Sequence, residues 1–311
     1  MTTAPTRPAP TTRTARRPGG RGSLNRNTSR VVGWALVPAG IVLLVFFLVP
    51  LVALIRIAMS SWSGVGEMDW VGFDNFVTAL TNEPFYAALW HSVVLAAIGA
   101  AGTIAVALVL AAFVSSRIRG SSFYRVLWFL PAIAPASAVS VFWALSVQPR
   151  TGLVNQMLGA IGLGDAHAWL SSPDAAIYVI AFVIIWHGVG FAFLLLLGAM
   201  EEIPVSVNEA AALDGVSTIG RFFRITLPLI RPVLGIVALL NVIWAFNGFT
   251  FVWGITQGGP GNSTEVLPVL VYKQAFVFGN FGPAAAMSIL GGVVLLAIGL
   301  FTLRGQKSTG D

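Results

Sequence analysis

The sequence predicts an all-α integral membrane protein with six transmembrane helices, and three observations carry that prediction. First, 56% of its 311 residues are hydrophobic and only 10% are charged, with a mean hydropathy of +0.83. A water-soluble domain carries about 25% charge, so two soluble surfaces could not be coated by what is available here. Second, six apolar stretches each reach the roughly 20 residues that a helix needs to cross a bilayer. Third, the 18 Lys and Arg residues fall almost entirely in alternate loops, which is the signature of membrane topology. The net charge of +6 would point to nucleic acid in a soluble protein; here it marks a membrane face. With no cysteine in the chain, disulfides, thiolate chemistry and cysteine-ligated metals are excluded.

Residues 1–30 are rich in Pro, Thr, Gly and Arg, cannot bury a core, and read as a disordered basic tail. The apolar run that follows is too long for a secretory signal and lacks a small-x-small cleavage site, so it reads as a retained first span. The predicted spans are 31–57, 87–114, 123–147, 175–200, 229–255 and 281–303, with a short tail at 304–311. All are predicted helical, because an open sheet edge would leave backbone groups unpaired in lipid. Gly291, Gly292 and Gly299 in the last span are small enough to let helices pack closely.

Orientation follows from the charges. Seven tail arginines, Arg117, Arg119, Arg125, Arg221, Arg224, Arg231, Arg304 and Lys307 collect on one side; Arg150 and Lys273 lie on the other, with Arg56 at the far end of the first span. The excess assigns the first side, and both termini, to the cytoplasm. The outer loops hold acids instead, among them Glu67, Asp69, Asp74, Glu83, Asp165, Asp174 and Glu265.

The loop between the fourth and fifth spans is cytoplasmic and too structured for a turn. Pro204 suits a helix start and Gly215 a left-handed stop; Ser217 or Thr218 can cap a second short helix containing Ile219, Phe222 and Phe223. The first piece presents small residues that let another protein approach its backbone, and the phenylalanine pair can anchor in a partner's pocket.

At these residues the chain resembles a known family. Glu209-Ala210-Ala211, three residues, Gly215, nine residues, then Ile225-x-Leu227-Pro228 is similar to the EAA loop of binding-protein-dependent ABC importer permeases. Trp70-Val71-Gly72-Phe73-Asp74-Asn75-Phe76, Leu130-Pro131, Gly152-Leu153-Val154-Asn155 and Thr256-Gln257-Gly258-Gly259-Pro260 resemble the sugar permeases of the maltose and glycerol-phosphate type. The resemblance implies a cytoplasmic coupling helix in which Glu209, Ala210, Ala211, Asp214 and Gly215, with Phe222 nearby, contact a dimeric ABC ATPase. It also implies a second, homologous permease, an extracytoplasmic sugar-binding protein, a prokaryotic plasma (inner) membrane location, and alternating access without catalysis by this chain. ATP and Mg would belong to the ATPase. No cofactor, metal site or nucleic-acid contact is expected in this chain; its only other contact is membrane lipid.

The residues themselves fit that implication. No phosphate-binding G-x-x-x-x-G-K-[ST] loop is present: Lys307-Ser308 lacks the glycines. The competing class, an ion-coupled secondary transporter or a channel subunit, places ionisable groups inside spans. Here the acids lie in loops or at span edges, and His187 is the lone ionisable group near a midplane. His187 has two readings, a hydrogen-bonded packing residue or a substrate contact. An intramembrane enzyme would need a nucleophile with its base, or a cluster of acids and histidines, and three dispersed His with no Cys argue against it. His91 and His167 are expected in solvent, and Trp143 and Trp253 as anchors at the outer membrane interface. In the fifth span Asn241, Trp244, Asn247 and Thr250 are the candidate substrate-pathway residues. Amides in a span need partners, which a hydroxyl-rich ligand or a neighbouring helix could supply. No basic residue lies inside the spans to meet an anionic substrate, which favours a neutral sugar. Between the third and fourth spans, Leu153-Val154-x-x-Met157-Leu158 has helical spacing and reads either as an interfacial helix or as part of a receptor surface. The topology is directly testable: a reporter fused after Asp311 is expected to behave as cytoplasmic, and alkaline phosphatase activity from that fusion would overturn the orientation.

Overall fold

A computed structural model describes residues 37–38, 40–115 and 120–307, the last five of these by backbone alone. The basic tail 1–30, Arg117 and Arg119 lie outside the described residues. The chain divides into two units, residues 1–53 and 54–311. Within the first unit, the described residues are helix whose large side chains, such as Phe46 and Phe47, are exposed, as lipid contact requires of an apolar surface.

The element order is a helix α1 (Gly40–Ala58), a two-residue antiparallel ribbon β1 (Ser60–Ser61) and β2 (Asp69–Trp70), then α2 (Asp74–Leu80), α3 (Glu83–Ser115), α4 (Ser121–Ile133) and α5 (Ala136–Ser146). There follow α6 (Leu153–Ala160), α7 (Pro173–Glu201), α8 (Val205–Leu213), α9 (Thr218–Arg221), α10 (Arg231–Phe246), α11 (Phe249–Ile255), α12 (Leu267–Tyr272) and α13 (Phe281–Lys307). Asn75 fastens the ribbon: its Nδ2 donates to Ala58 O and Ser60 O, both at 2.9 Å.

Among the described residues, five helices are long and apolar enough to cross a membrane: α1, α3, α7, the α10–α11 pair and α13. The predicted third span is different. It is two helices, α4 and α5, bent by 90°, and neither alone has the roughly 20 residues of a crossing. Two prolines cause this. Pro135 lacks an N–H and forces the preceding residue out of helical geometry; Ala134 accordingly sits at φ −68°, ψ 138°, with Pro131 one turn earlier. The pair still progresses along α7. Arg125 on α4 pairs with Glu201 at one end of α7, and Trp143 on α5 meets Phe182 and Trp186 nearer the other. Counted as one bent span, the pair brings the candidate spans among the described residues to six.

The fifth span is also interrupted, at Asn247-Gly248, between α10 and α11. Asn247 donates Nδ2 to Ile243 O at 3.0 Å, a local bond that competes with helix continuation. The upper halves of the two interrupted spans pack together: Ser140 on α5 donates to Thr250 O at 3.1 Å.

Packing among α3, α7 and α10 relies on small residues. A Cβ on Gly99 would lie 3.1 Å from Ala245 Cβ and 3.2 Å from Ile184, so the helices approach to near backbone contact, as lipid-embedded bundles require. In the last span Gly291 and Gly299 make such approaches, to Leu267 and Leu239, whereas Gly292 faces open space. Trp143 and Trp253 are not simple interface anchors; both pack against the buried core, with Trp253 stacked on Phe249 at 5.9 Å. Glu265, 4% exposed, pairs with Lys273 at 2.5 Å, an arrangement that offsets the cost of burying either charge. His91 is half-buried and bonds Glu265 O at 3.1 Å, contrary to the expectation of a solvated side chain; the exposed His167 bonds Leu163 O at 2.8 Å.

Gly190 on α7 lies against the backbone of α4, where a Cβ would sit 2.5 Å from Trp128 O and 2.9 Å from Phe129 Cα. Backbone cannot yield as a side-chain tip does, so Gly190→Val is expected to destabilise the protein by roughly 1–3 kcal/mol. A lowered thermal midpoint in detergent, read by tryptophan fluorescence, checks this; an unchanged midpoint contradicts the close approach.

Candidate functional site

Two regions gather the residues of interest. The first is the loop between α7 and α10. Pro204 occupies the residue before α8, at φ −55° and ψ 138°, where its missing N–H costs nothing. Gly215 closes the helix at φ +71°, the left-handed conformation that glycine adopts without strain. Ser217 caps the next turn, accepting from Gly220 N at 3.2 Å. The chain then passes through a π-helical turn, Phe222–Thr226, before α10.

Within this loop Glu209, Ala210, Asp214 and Gly215 are exposed, and Ala211 is buried. The phenylalanine pair divides: Phe222 packs inward against the core near α7, while Phe223 is exposed with Leu213 and Ile219. Leu213, at 89% exposure, is a large apolar side chain at a helix end, left open by the described residues. The region is thus a small ordered platform with an acidic and apolar exposed face.

The second region is a cavity of about 310 Å³ lined by Phe129, Ala132, Ile184, His187, Gly188, Phe191, Asn241, Trp244, Ala245 and Phe251. It sits where both interrupted spans break. Phe129 and Ala132 come from the turn before the α4–α5 bend; Asn241, Trp244 and Phe251 flank the α10–α11 interruption. Interrupted helices are tolerated in a bilayer where the freed backbone is buried in protein or faces a cavity.

His187 resolves the bend. Its Nε2 lies 3.1 Å from Ala134 O, the carbonyl freed where α4 ends, and a carbonyl only accepts, so Nε2 donates. Its ring also meets Phe251 at 5.3 Å and lines the cavity. The packing role and a place beside the cavity are therefore compatible. Asn241 is buried, donating Nδ2 to Val237 O at 2.8 Å. Trp244 is half-exposed, edge-on to Phe191 at 5.2 Å. Nearby, Thr103 Oγ1 is buried without a hydrogen-bond partner; a Cβ on Gly188 would lie 3.4 Å from that oxygen and 3.5 Å from Asn241 Oδ1.

Of the five candidate pathway residues, the cavity joins His187, Asn241 and Trp244. Asn247 instead lines a neighbouring space of about 440 Å³ with Phe249, Tyr272 and Gly292. Thr250 lines neither; its carbonyl accepts from Ser140. Sequence reading missed Phe129, Ala132, Phe191 and Phe251. The prolines around 131–135 were the available signal, since they mark where a span must open.

These features define a multi-pass membrane permease: several apolar helices, two of them interrupted around a shared cavity, with an ordered platform between α7 and α10. Comparison with known proteins gives the family. Residues 104–307 match the model of the binding-protein-dependent transport system inner membrane component. The chain is 32% identical, over 99% of its length and 90% of the relative's, to the diacetylchitobiose uptake system permease protein NgcF of Streptomyces coelicolor. It is 33% identical, over 84% of its length and 89% of the relative's, to the sn-glycerol-3-phosphate transport system permease protein UgpA of Salmonella choleraesuis. The fold is shared with a bacterial alginate ABC transporter, solved in complex with an alginate pentasaccharide-bound periplasmic protein, at a TM-score of 0.76, 23% identity, and coverage of 91% of this chain and 96% of that one. The protein belongs to the binding-protein-dependent transport permeases and is a permease subunit of an ABC importer.

The His187–Ala134 bond is separately testable. His187→Phe keeps the ring and removes the donor, leaving a buried carbonyl unpaired at a cost of about 1–3 kcal/mol. A thermal midpoint lowered in His187→Phe and largely retained in His187→Gln is expected; equal midpoints in both variants would contradict the bond.

Proposed function

We propose that this chain translocates a carbohydrate delivered by an extracytoplasmic binding protein, driven by ATP hydrolysis in a partner ATPase, with a second permease completing the pathway. The cavity carries the substrate reading. Four aromatic rings, Phe129, Phe191, Trp244 and Phe251, surround it, with Asn241 and His187 as its polar lining. A pyranose has apolar C–H faces and a hydroxyl rim, which is the complement of aromatic walls with a few polar groups. No Lys, Arg, Asp or Glu lines the cavity, which favours a neutral sugar over an anionic one. The relatives' names, for a chitobiose derivative and a glycerol phosphate, support the class and leave the particular compound open.

The coupling reading rests on the platform between α7 and α10. Glu209, Ala210, Asp214 and Gly215 are exposed there, beside Leu213 and Ile219, and small side chains let a partner approach the backbone. Docking of this segment into a cytoplasmic ATPase dimer would bury those apolar side chains. The same reading places both termini in the cytoplasm of a prokaryotic cell and leaves ATP and Mg to the partner. One chain with six spans forms half of a pathway, so a homologous second permease is expected beside it. Phe222, which faces this chain's own core, would support the platform from beneath while Phe223 makes the contact.

Copurification from mild detergent tests the assembly: an ATPase and a second permease are expected with this chain, and their absence would favour the ion-coupled alternative. Gly215→Ile strains the left-handed turn, and Glu209→Lys reverses the exposed charge. Each is expected to lower binding-protein-stimulated ATP hydrolysis at least tenfold, equivalent to about 1.4 kcal/mol. Unchanged stimulation in both variants would remove the docking role.

A further inference from the structure

The bent third span is tied to α7 at three levels, and the lowest tie has no role in the reading above. At the top, His187 donates to Ala134 O. In the middle, Gly190 touches the backbone of Trp128 and Phe129. At the bottom, the guanidinium of Arg125 pairs with the carboxylate of Glu201. Glu201 is the last residue of α7, and α8 of the cytoplasmic platform begins at Val205. Arg125 is one helical turn below Phe129, which lines the cavity.

We propose that Arg125 and Glu201 are positioning residues that carry movement of the cytoplasmic platform to the wall of the cavity. The proposal rests on the ABC-importer reading. A helix cut at Ala134–Pro135 has lost the backbone continuity that would make its lower half follow its upper half. What α4 follows is set by its side attachments. With the hinge held by His187 and the far end held by Glu201, α4 moves with the inner end of α7. Phe129 and Ala132 then move relative to Asn241 and Trp244 on the opposite wall. Without the lower tie, the inner end of α7 could shift and leave α4 behind, pivoting about Gly190.

The character of the pair supports a directional link. A charge-assisted hydrogen bond has a preferred direction as well as a distance. Arg125 Nε is buried and unpartnered, so Nη2 carries the contact to Glu201 Oε1. Glu201 stands apart from the acids of the outer loops, at the cytoplasmic end of a span. An exposed ion pair contributes little to stability, so the expected consequence of breaking it is lost transmission and not unfolding.

The test uses the complete importer in nanodiscs. The chain has no native cysteine, so spin labels enter cleanly at Val126→Cys on α4 and Ile236→Cys on α10, both exposed positions. The distance between them is read by pulsed electron resonance with and without ATP plus vanadate. The parent is expected to show a nucleotide-dependent change. Arg125→Glu alone and Glu201→Arg alone are expected to lose it while the ATPase still copurifies, and the Arg125→Glu/Glu201→Arg exchange to restore it. Single variants that respond like the parent would overturn the proposal, as would a loss that the exchange does not restore. If charge reversal prevents assembly, Glu201→Gln, which keeps the shape and drops the charge, decides: a lost response supports the link and a parent-like response overturns it. A parent that binds no ATPase would overturn the importer reading, and this proposal with it; a parent that binds ATPase beside insensitive variants overturns this proposal alone.

Discussion

Every backbone N–H and C=O in the bilayer core must find a partner inside the protein, and the architecture depends on how that constraint is met at one carbonyl. Ala134 O is released where Pro135 ends α4, and His187 donates to it from the middle of α7. That bond permits a 90° bend in a membrane-spanning segment. The bend brings Phe129 and Ala132 to one wall of a cavity and lets α5 turn away to pack on α11. The second interruption, at Asn247-Gly248, is satisfied locally and lies beside the first. The two interruptions flank one internal space.

Around that space the molecule is built from close approaches of small residues. Gly99 meets Ala245 and Ile184, and Gly190 meets the backbone of α4. Lipid offers no hydrophobic driving force between helices, so contact area from near-backbone approach takes its place. Among the described residues the ion pairs lie near helix ends, where Glu265 meets Lys273 and Arg125 meets Glu201. The ends are thus pinned electrostatically, and the middle is held by shape.

What the sequence made legible follows the range of the interactions concerned. The helical membrane fold and five of the spans were legible because hydropathy is a local, summed property that no tertiary contact overrides. The platform was legible because Pro204, Gly215 and Ser217 act on their own backbone within a few residues. The bend at Ala134 was written in Pro131 and Pro135, yet the stretch 123–147 passes as one span on apolar length alone. Asn241, Trp244 and Asn247 were legible as polar or aromatic residues in a span. Their assignment to different cavities depends on the helix interruption between Trp244 and Thr250, which shifts the facing that regular helical spacing predicts. Partners of distant residues were not legible. Arg125 reads as one more cytoplasmic arginine, and nothing local links it to an acid 76 positions away.

The amide and imidazole groups beside the cavity each give one hydrogen to a backbone carbonyl. Asn241 spends its Nδ2 on Val237 O, and His187 spends its Nε2 proton on Ala134 O. In a neutral imidazole that leaves Nδ1 as a lone-pair site, and the asparagine keeps its carbonyl oxygen. Folding uses one hydrogen from each group and leaves both acceptors, beside the second amide hydrogen of Asn241 and the indole N–H of Trp244 in the same lining. The space therefore suits molecules that both give and accept hydrogen bonds, as water and hydroxyl groups do, and an ether-rich or fully alkylated molecule of the same shape would leave the acceptors bare.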